Sequence, residues 1–214
     1  MSRRRSEGEA PALVLATRNE HKLRELSELL PDIKLEPLPD DVDLPPEDGA
    51  TFDDNALIKA RAAHRATGRA AIADDSGIVA AALDGRPGVL SARYAGENAS
   101  DEENLAKLLR EVDEAGDDRR VAYACVIAYV NEVGEEGLVQ GWCMGTLADQ
   151  PRGSGGFGYD PAFIPDEYEI AGKRTMAELS PEEKNRISHR GRAARMLAAY
   201  LAAGSDAGET EIGE

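Results

Sequence analysis

Cysteine is nearly absent from this 214-residue chain, and the two present, Cys125 and Cys143, sit too far apart for a metal-ligand pair and are too few for a disulfide framework. Both read as small core residues of strands. Aromatic residues make up only 5% of the chain. No apolar run approaches the roughly 18 residues that span a bilayer. Arg3, Arg4 and Arg5 near the start have no apolar stretch behind them, so no signal peptide is expected and a cytoplasmic protein is. Positive charge is scarce: the formal net charge is −16, and lysine occurs only at positions 22, 34, 59, 107, 173 and 184. Such a surface repels a nucleic acid backbone, so no nucleic acid partner is expected. A small polyanion is different, because a few aimed cations and a divalent metal suffice for it. No Walker A pattern is present.

What remains suits one α/β unit with a mixed sheet and two lobes flanking a cleft. Residues 1–10 and 204–214 are polar and charged and read as disordered tails around a single domain, 11–203. Ala12–Ala16 is a short buried strand. Leu23, Leu26, Leu29 and Leu30 share one helical face over Asn19–Leu30. The five prolines of residues 31–50 indicate a looped connection. Thr51–Thr67 is an Ala-rich helix stopped by Gly68, and Ala70–Asp74 is a second buried strand. Val79–Leu83 is strand or turn, and 84–98 a structured loop. Ser100 and Glu103 form a capping box for a helix to Val112. Val121–Val130 and Gly137–Leu147 make a hairpin. Ser180 and Pro181 start a helix that breaks near His189–Gly191 and resumes to Leu201.

Five segments can carry chemistry. Thr17-Arg18-Asn19-Glu20-His21-Lys22 joins a strand to a helix, where unpaired N–H groups and a positive dipole end attract anions; a plain capped helix reads the same way. Asp74-Asp75-Ser76-Gly77, placed at a strand terminus, offers paired carboxylates for Mg²⁺ and a base for water, or else an Asx-type turn. Glu47-Asp48-Gly49 is a third acidic element or one more acidic loop. Gly153–Pro161 combines four glycines within six residues with Phe157 and Tyr159, which offer faces for a base. Glu183-Lys184-Asn185 and Ser188-His189-Arg190 supply cations on a helix that is equally read as solvated surface. His64 and Trp142 read as structural. Gly96, Glu102, Arg110, Glu111 and Glu114 match Nudix spacings, but Ala115 stands where that box needs a metal-binding glutamate, so the match is set aside.

Taken in order, LATRNEHKLREL, EDGATFDDNALIKA, ADDSGI, GRPGVLSARYAG, GFGYDPAF and TMAELSPEEKNRISHRGRA resemble the inosine triphosphate pyrophosphatase (Ham1) family over about residues 13 to 195. Each motif is weak alone; all in register are highly specific. The resemblance implies an elongated mixed sheet flanked by helices, usually a homodimer. It implies Mg²⁺-dependent hydrolysis of ITP, dITP and XTP to the monophosphate and pyrophosphate, cleansing the nucleotide pool. It implies Asp75 as proton acceptor and metal ligand and Glu47 as the other Mg²⁺ carboxylate. Thr17, Arg18, Asn19, Glu20, His21 and Lys22 then form the triphosphate loop. Ser76, Phe157, Gly158, Tyr159, Asp160, Lys184, His189 and Arg190 complete the nucleotide pocket. Arg18 stands where many relatives carry a small residue, and Asp54 where many carry Glu. Selectivity is expected from donors facing the purine C6 carbonyl: Arg190 and backbone N–H groups of the Phe157 loop. Two other readings compete: a binding protein that lost turnover, and a related pyrophosphatase acting on pyrimidine or modified nucleotides.

Overall fold

A computed structural model describes residues 12–207. Six strands form one sheet in the order β2-β1-β3-β4-β5-β6. The strands are β1 (Ala12–Leu15), β2 (Lys34–Pro37), β3 (Ala71–Ala80), β4 (Arg120–Val130), β5 (Glu136–Leu147) and β6 (Phe163–Pro165). β2, β1 and β3 run parallel, and β3 through β6 pair antiparallel, so the sheet is mixed as expected. The helices are α1 (Glu20–Leu29), α2 (Phe52–Thr67), α3 (Asp101–Ala115), α4 (Tyr168–Ala171), α5 (Pro181–Ile187) and α6 (His189–Ala207). Among the described residues no helix is long and apolar enough to cross a membrane.

Local chemistry sets the boundaries. Thr51, Ser100 and Ser180 each build a capping box, with Asp54, Glu103 and Glu183 reaching back. Gly68 closes α2 in the left-handed region at φ 64°. The break between α5 and α6 falls at Ser188, whose ψ of 153° is extended, one residue earlier than expected.

Four expectations are corrected. Residues 31–50 are not loop throughout, because β2 pairs along β1 there despite its proline; a parallel edge strand needs few donors of its own. β3 does not end at Asp74 but runs unbroken to Ala80, because β4 pairs with it along its whole length. The short β6 and α4 carried too little periodicity to be seen. Helix α6 continues to Ala207, into the expected C-terminal tail. Positions 1–11 and 208–214, which hold the rest of both expected tails, lie outside the described residues.

Strand alternation places the core and the gap in it. On one face β3 reads Ile72, Asp74, Ser76, Ile78. Ile72 joins an apolar cluster with Leu13, Leu26, Cys125 and Leu197. Ile78 joins another with Leu108, Tyr123, Cys143 and Phe163. Asp74 and Ser76 fall between these two clusters. On the opposite face Ala71 and Ala73 pack under α2 with Ala56, Ala60 and Ala63, and Asp75 follows them. Both cysteines are buried in strands, as expected.

Candidate active site

The site forms because β1 is short. Its register with β3 ends at Leu15 opposite Ile72, which leaves the β3 edge beyond Ile72 without a strand neighbour on that side. A cavity of about 180 Å³ opens there, beside the carboxyl end of β1 and the start of α1. Ligand crevices in open α/β sheets occupy this kind of position. Both faces of β3 contribute to the cavity wall, through Asp75 and Ser76.

On the α2 side, the Asp75 carboxylate accepts from Asn55 Nδ2 at 3.1 Å and lies 3.8 Å from Lys59 Nζ. Asn55 is in turn fixed by the Gly49 N–H, 2.9 Å from its Oδ1. Lys59 pairs with Glu47 and donates to the Asp74 carbonyl at 2.7 Å, a backbone group on the uncovered edge. Burial pushes the Asp75 carboxyl above its ordinary range and Glu47 adds to this, while Lys59 and Lys22 oppose. For Glu47 burial also acts upward, but Lys59 outweighs it and the group stays below its ordinary value. One carboxylate is thus biased toward holding a proton and the other toward charge.

On the α1 and α6 side, Asp74 is fully buried. Its Oδ2 meets Lys22 Nζ at 3.0 Å, accepts from Ser76 Oγ at 2.8 Å and lies 3.5 Å from Arg190 Nη2. Burial alone would raise this carboxyl; Lys22, Arg190 and Lys59 outweigh burial and hold it well below the usual range. Glu25 of α1 bridges Lys184, at 3.2 Å, and Arg190. Lys184 also donates to Asp160 Oδ2 at 2.8 Å. The Phe157 ring lies 4.8 Å from Lys184 Nζ and 5.8 Å from Arg190 Cζ. His189 stacks on Tyr123 at 4.6 Å, and burial, with Arg190 and Lys184, keeps its imidazole neutral.

Most residues singled out in the sequence meet at this cavity. Asn19, Lys22, Glu47, Asp75 and Ser76 line it, together with Phe157, Gly158, Tyr159, Asp160, Lys184, His189 and Arg190. Thr17, Arg18, Glu20 and His21 do not. Arg18 turns away, donating to the carbonyls of Leu38, Pro39 and Val42 at 2.7–2.9 Å. His21 reaches only the rim, 5.9 Å from the Phe157 ring. Asn19 caps α1, accepting from the His21 and Lys22 N–H groups, so the helix start is built as expected. The Asp74-Asp75 pair is corrected from strand terminus to mid-strand, with the two side chains on opposite faces and no turn at Gly77. The Phe157 and Gly158 N–H groups are occupied by Asp160 and Asp101, at 3.0 and 2.7 Å, so they are not open donors for a base. His64 bonds the Arg69 carbonyl, a structural role. The acids of the Nudix-like spacing are not gathered as a metal site, and Glu111 instead accepts from Tyr94 and Arg86.

Lys59, Asn55, Glu25 and Tyr123 were not foreseen. Asn55 and Lys59 are four apart on the alanine face of α2, and polar residues on that buried stripe were a readable signal. Glu25 carried none.

The fold and site together define an α/β protein with a crevice lined by lysine, arginine, carboxylate and aromatic side chains. The Ham1 family profile matches residues 13–200, and the chain belongs to that family. A Geobacter sulfurreducens relative named dITP/XTP pyrophosphatase is 49% identical, covering 88% of this chain and 96% of its own. A Coxiella burnetii relative of the same name is 45% identical over the same shares. The solved structure of a HAM1 protein from Coxiella burnetii superposes with a TM-score of 0.81, covering 90% of this chain and 99% of its own at 45% identity. The Staphylococcus aureus Ham1 protein gives 0.81 at 40% identity, with the same coverage.

Proposed function

We propose that this chain is a nucleoside triphosphate pyrophosphatase that hydrolyses ITP, dITP and XTP to the monophosphate and pyrophosphate, clearing such nucleotides from the cytoplasmic pool. The relatives' shared name, dITP/XTP pyrophosphatase, supports the substrate class. The observation that carries the reading is the pairing within one cavity of a carboxylate-lysine cluster (Glu47, Asp75 and Lys22, with Lys59 buried behind the two carboxylates) and an aromatic-cation cluster (Phe157, His189, Arg190).

Mg²⁺ fits the donor set. Glu47 and Asp75 both face the cavity, and Mg²⁺ binds through one or two carboxylates plus substrate phosphates rather than an all-protein cage. Among the described residues no three His, Cys, Asp or Glu side chains form such a cage. When bound, the ion polarises phosphate oxygens and offsets their charge. Asp75 takes the proton of the attacking water, and its upward-shifted carboxyl makes it a stronger base than an ordinary aspartate. That water attacks the α-phosphorus. Lys22 offsets charge on the departing pyrophosphate, and Lys59, behind Glu47 and Asp75, holds those two carboxylates in place.

The purine lies against Phe157. Three buried side-chain atoms have no partner among the described residues: Asp74 Oδ1, His189 Nδ1 and Arg190 Nε. Two belong to cavity-lining residues. Arg190 Nε is a donor in every protonation state, and a buried donor left unpaired costs about 1–3 kcal/mol, so it favours a base whose C6 atom is a carbonyl. Lys184, tied to Glu25 and Asp160 beside Phe157, belongs with this end of the cavity. A homodimer is part of the reading, and the exposed row Leu138, Trp142 and Met144 on β5 is the apolar surface a second copy would cover.

The test is pyrophosphate release with Mg²⁺ from ITP, XTP, dUTP, GTP and ATP. Preference for ITP and XTP is expected, and Asp75→Asn should lower kcat by roughly 10²–10⁴-fold. Orthophosphate as first product, or near-normal turnover by Asp75→Asn, overturns the reading.

A further inference from the structure

We propose that Asp74 is the positioning residue for Lys22, holding that ammonium at the phosphate end of the cavity before substrate arrives. The inference rests on the pyrophosphatase reading but assigns a separate residue with no part in the proton transfer.

Lys22 stands on the first turn of α1, on a long side chain that is only 17% exposed. A lysine carries about 2 kcal/mol of rotamer entropy, so an unguided ammonium would sample many positions. Asp74 Oδ2, 3.0 Å away, fixes one of them. The anchor itself cannot drift. Asp74 sits mid-strand in β3 with β4 paired along it, its side chain is fully buried, and Ser76 Oγ donates to the same oxygen at 2.8 Å. Arg190, 3.5 Å off, has Glu25 as a stronger partner, so Lys22 depends on Asp74 more than Arg190 does. Asp75, the neighbouring carboxylate, points to the opposite face with Asn55 and Lys59. Alternation along one strand thus separates two jobs: one carboxylate meets the reacting water and the next aims the cation. The second Asp74 oxygen has no partner, although it is buried. A purely structural buried carboxylate would be expected to use both.

The experiment is a double-mutant cycle on the full chain, using whichever triphosphate the wild type hydrolyses best. Asp74→Asn keeps shape and removes charge. It is expected to lower kcat/KM on the order of 10²-fold, as misplacing a reacting-site group by about 1 Å does. Lys22→Met is expected to cost about 10²–10³-fold. Combined, they should cost no more than Lys22→Met alone, within about twofold, because an aiming residue has nothing left to aim. If Asp74→Asn does not fold, the comparison of Lys22→Met with the double variant still decides. A double variant that falls a further tenfold or more, roughly 1.4 kcal/mol, overturns the proposal. So does an Asp74→Asn single variant with wild-type kcat/KM. Wild-type protein that hydrolyses no triphosphate would instead overturn the functional reading, which separates the two failures.

Discussion

Gly141 lies where β5 passes under the start of α6, and replacing it with alanine should damage stability and activity together. An added Cβ would lie well inside contact distance of the His189 carbonyl oxygen, 2.5 Å from the Ala193 amide nitrogen and 3.0 Å from the Arg192 Cβ. The first two are backbone atoms and have no rotamer to yield. The helix must therefore move off the sheet by about 1 Å. Overpacking of this kind costs about 1–3 kcal/mol, and loss of unfolded-state freedom returns about 0.4–1 kcal/mol. A net loss of about 1.3 kcal/mol remains, which at this chain length lowers Tm by roughly 3–5 °C. Gly137 on the same strand supplies the control. Its Cβ would meet only the ring end of Tyr200, at 2.8 Å, and that side chain is 46% exposed and free to swing. Gly137→Ala should therefore leave Tm within about 2 °C of wild type. Scanning calorimetry reads both variants. Because the carbonyl in the way is that of His189, beside Arg190, Gly141→Ala should also lower kcat/KM by up to about 10²-fold. Equal Tm values for the two variants would refute the argument that backbone proximity, and not glycine loss as such, sets the cost.

Arg18→Ala should leave kcat/KM nearly unchanged and cost about 1–2 kcal/mol of stability, because the guanidinium serves the carbonyls of Leu38, Pro39 and Val42; a large rise in KM would restore it to the substrate loop. Glu25 has a carboxyl held below its ordinary value of 4.5, where Arg190 and Lys184 outweigh burial. Its contribution to stability is therefore complete above pH 4.5 and lost as pH falls through the lowered native value. Asp75 has the opposite sign: its raised carboxyl stabilises the fold at acid pH and less as pH rises through that raised value. Thermal melts from pH 7 down to about pH 3 should show a steep acid limb in the wild type that flattens in Glu25→Gln, and an unchanged limb would count against the bridge. The rising limb of kcat/KM should lie above the ordinary Asp value of 3.8, since the base must be ionised to act.

The elements legible in the sequence were those with local causes. The helix starts at Thr51 and Ser180, the capping box of Ser100 and the hairpin of β4 and β5 depend on residues near one another in the chain. The continuous length of β3 did not, because Asp74-Asp75-Ser76-Gly77 looks like a turn until β4 supplies a partner for every residue. The same reasoning separates the site residues. Lys22 and Glu25 share one motif, but Lys22 sits at the helix start, where an anion site is readable, whereas the role of Glu25 depends on Lys184 and Arg190, more than 150 positions away in the chain. Arg18 shows the reverse error. It stands inside a site motif, but the proximity of the loop at 38–42 decides where its side chain goes.

The contacts around the cavity also explain how a chain of net charge −16 can accept a polyanion. Each cation lining it already has a carboxylate partner, Lys22 with Asp74 and Lys184 and Arg190 with Glu25, and Lys59 behind the wall is paired with Glu47. A buried charge without a partner would cost several kcal/mol, so an unpaired cation waiting for substrate would destabilise the fold. Pairing removes that cost, but it also weakens the field offered to a triphosphate, since each carboxylate repels what its lysine attracts. A divalent ion resolves the conflict. On the function proposed above, it would add positive charge only when bound by Glu47 and Asp75, and so the fold need not hold an excess of cations beforehand. On this argument affinity for the triphosphate should depend on Mg²⁺ more steeply than affinity for the monophosphate product, whose ring end meets the pairs built on Glu25 and Asp160.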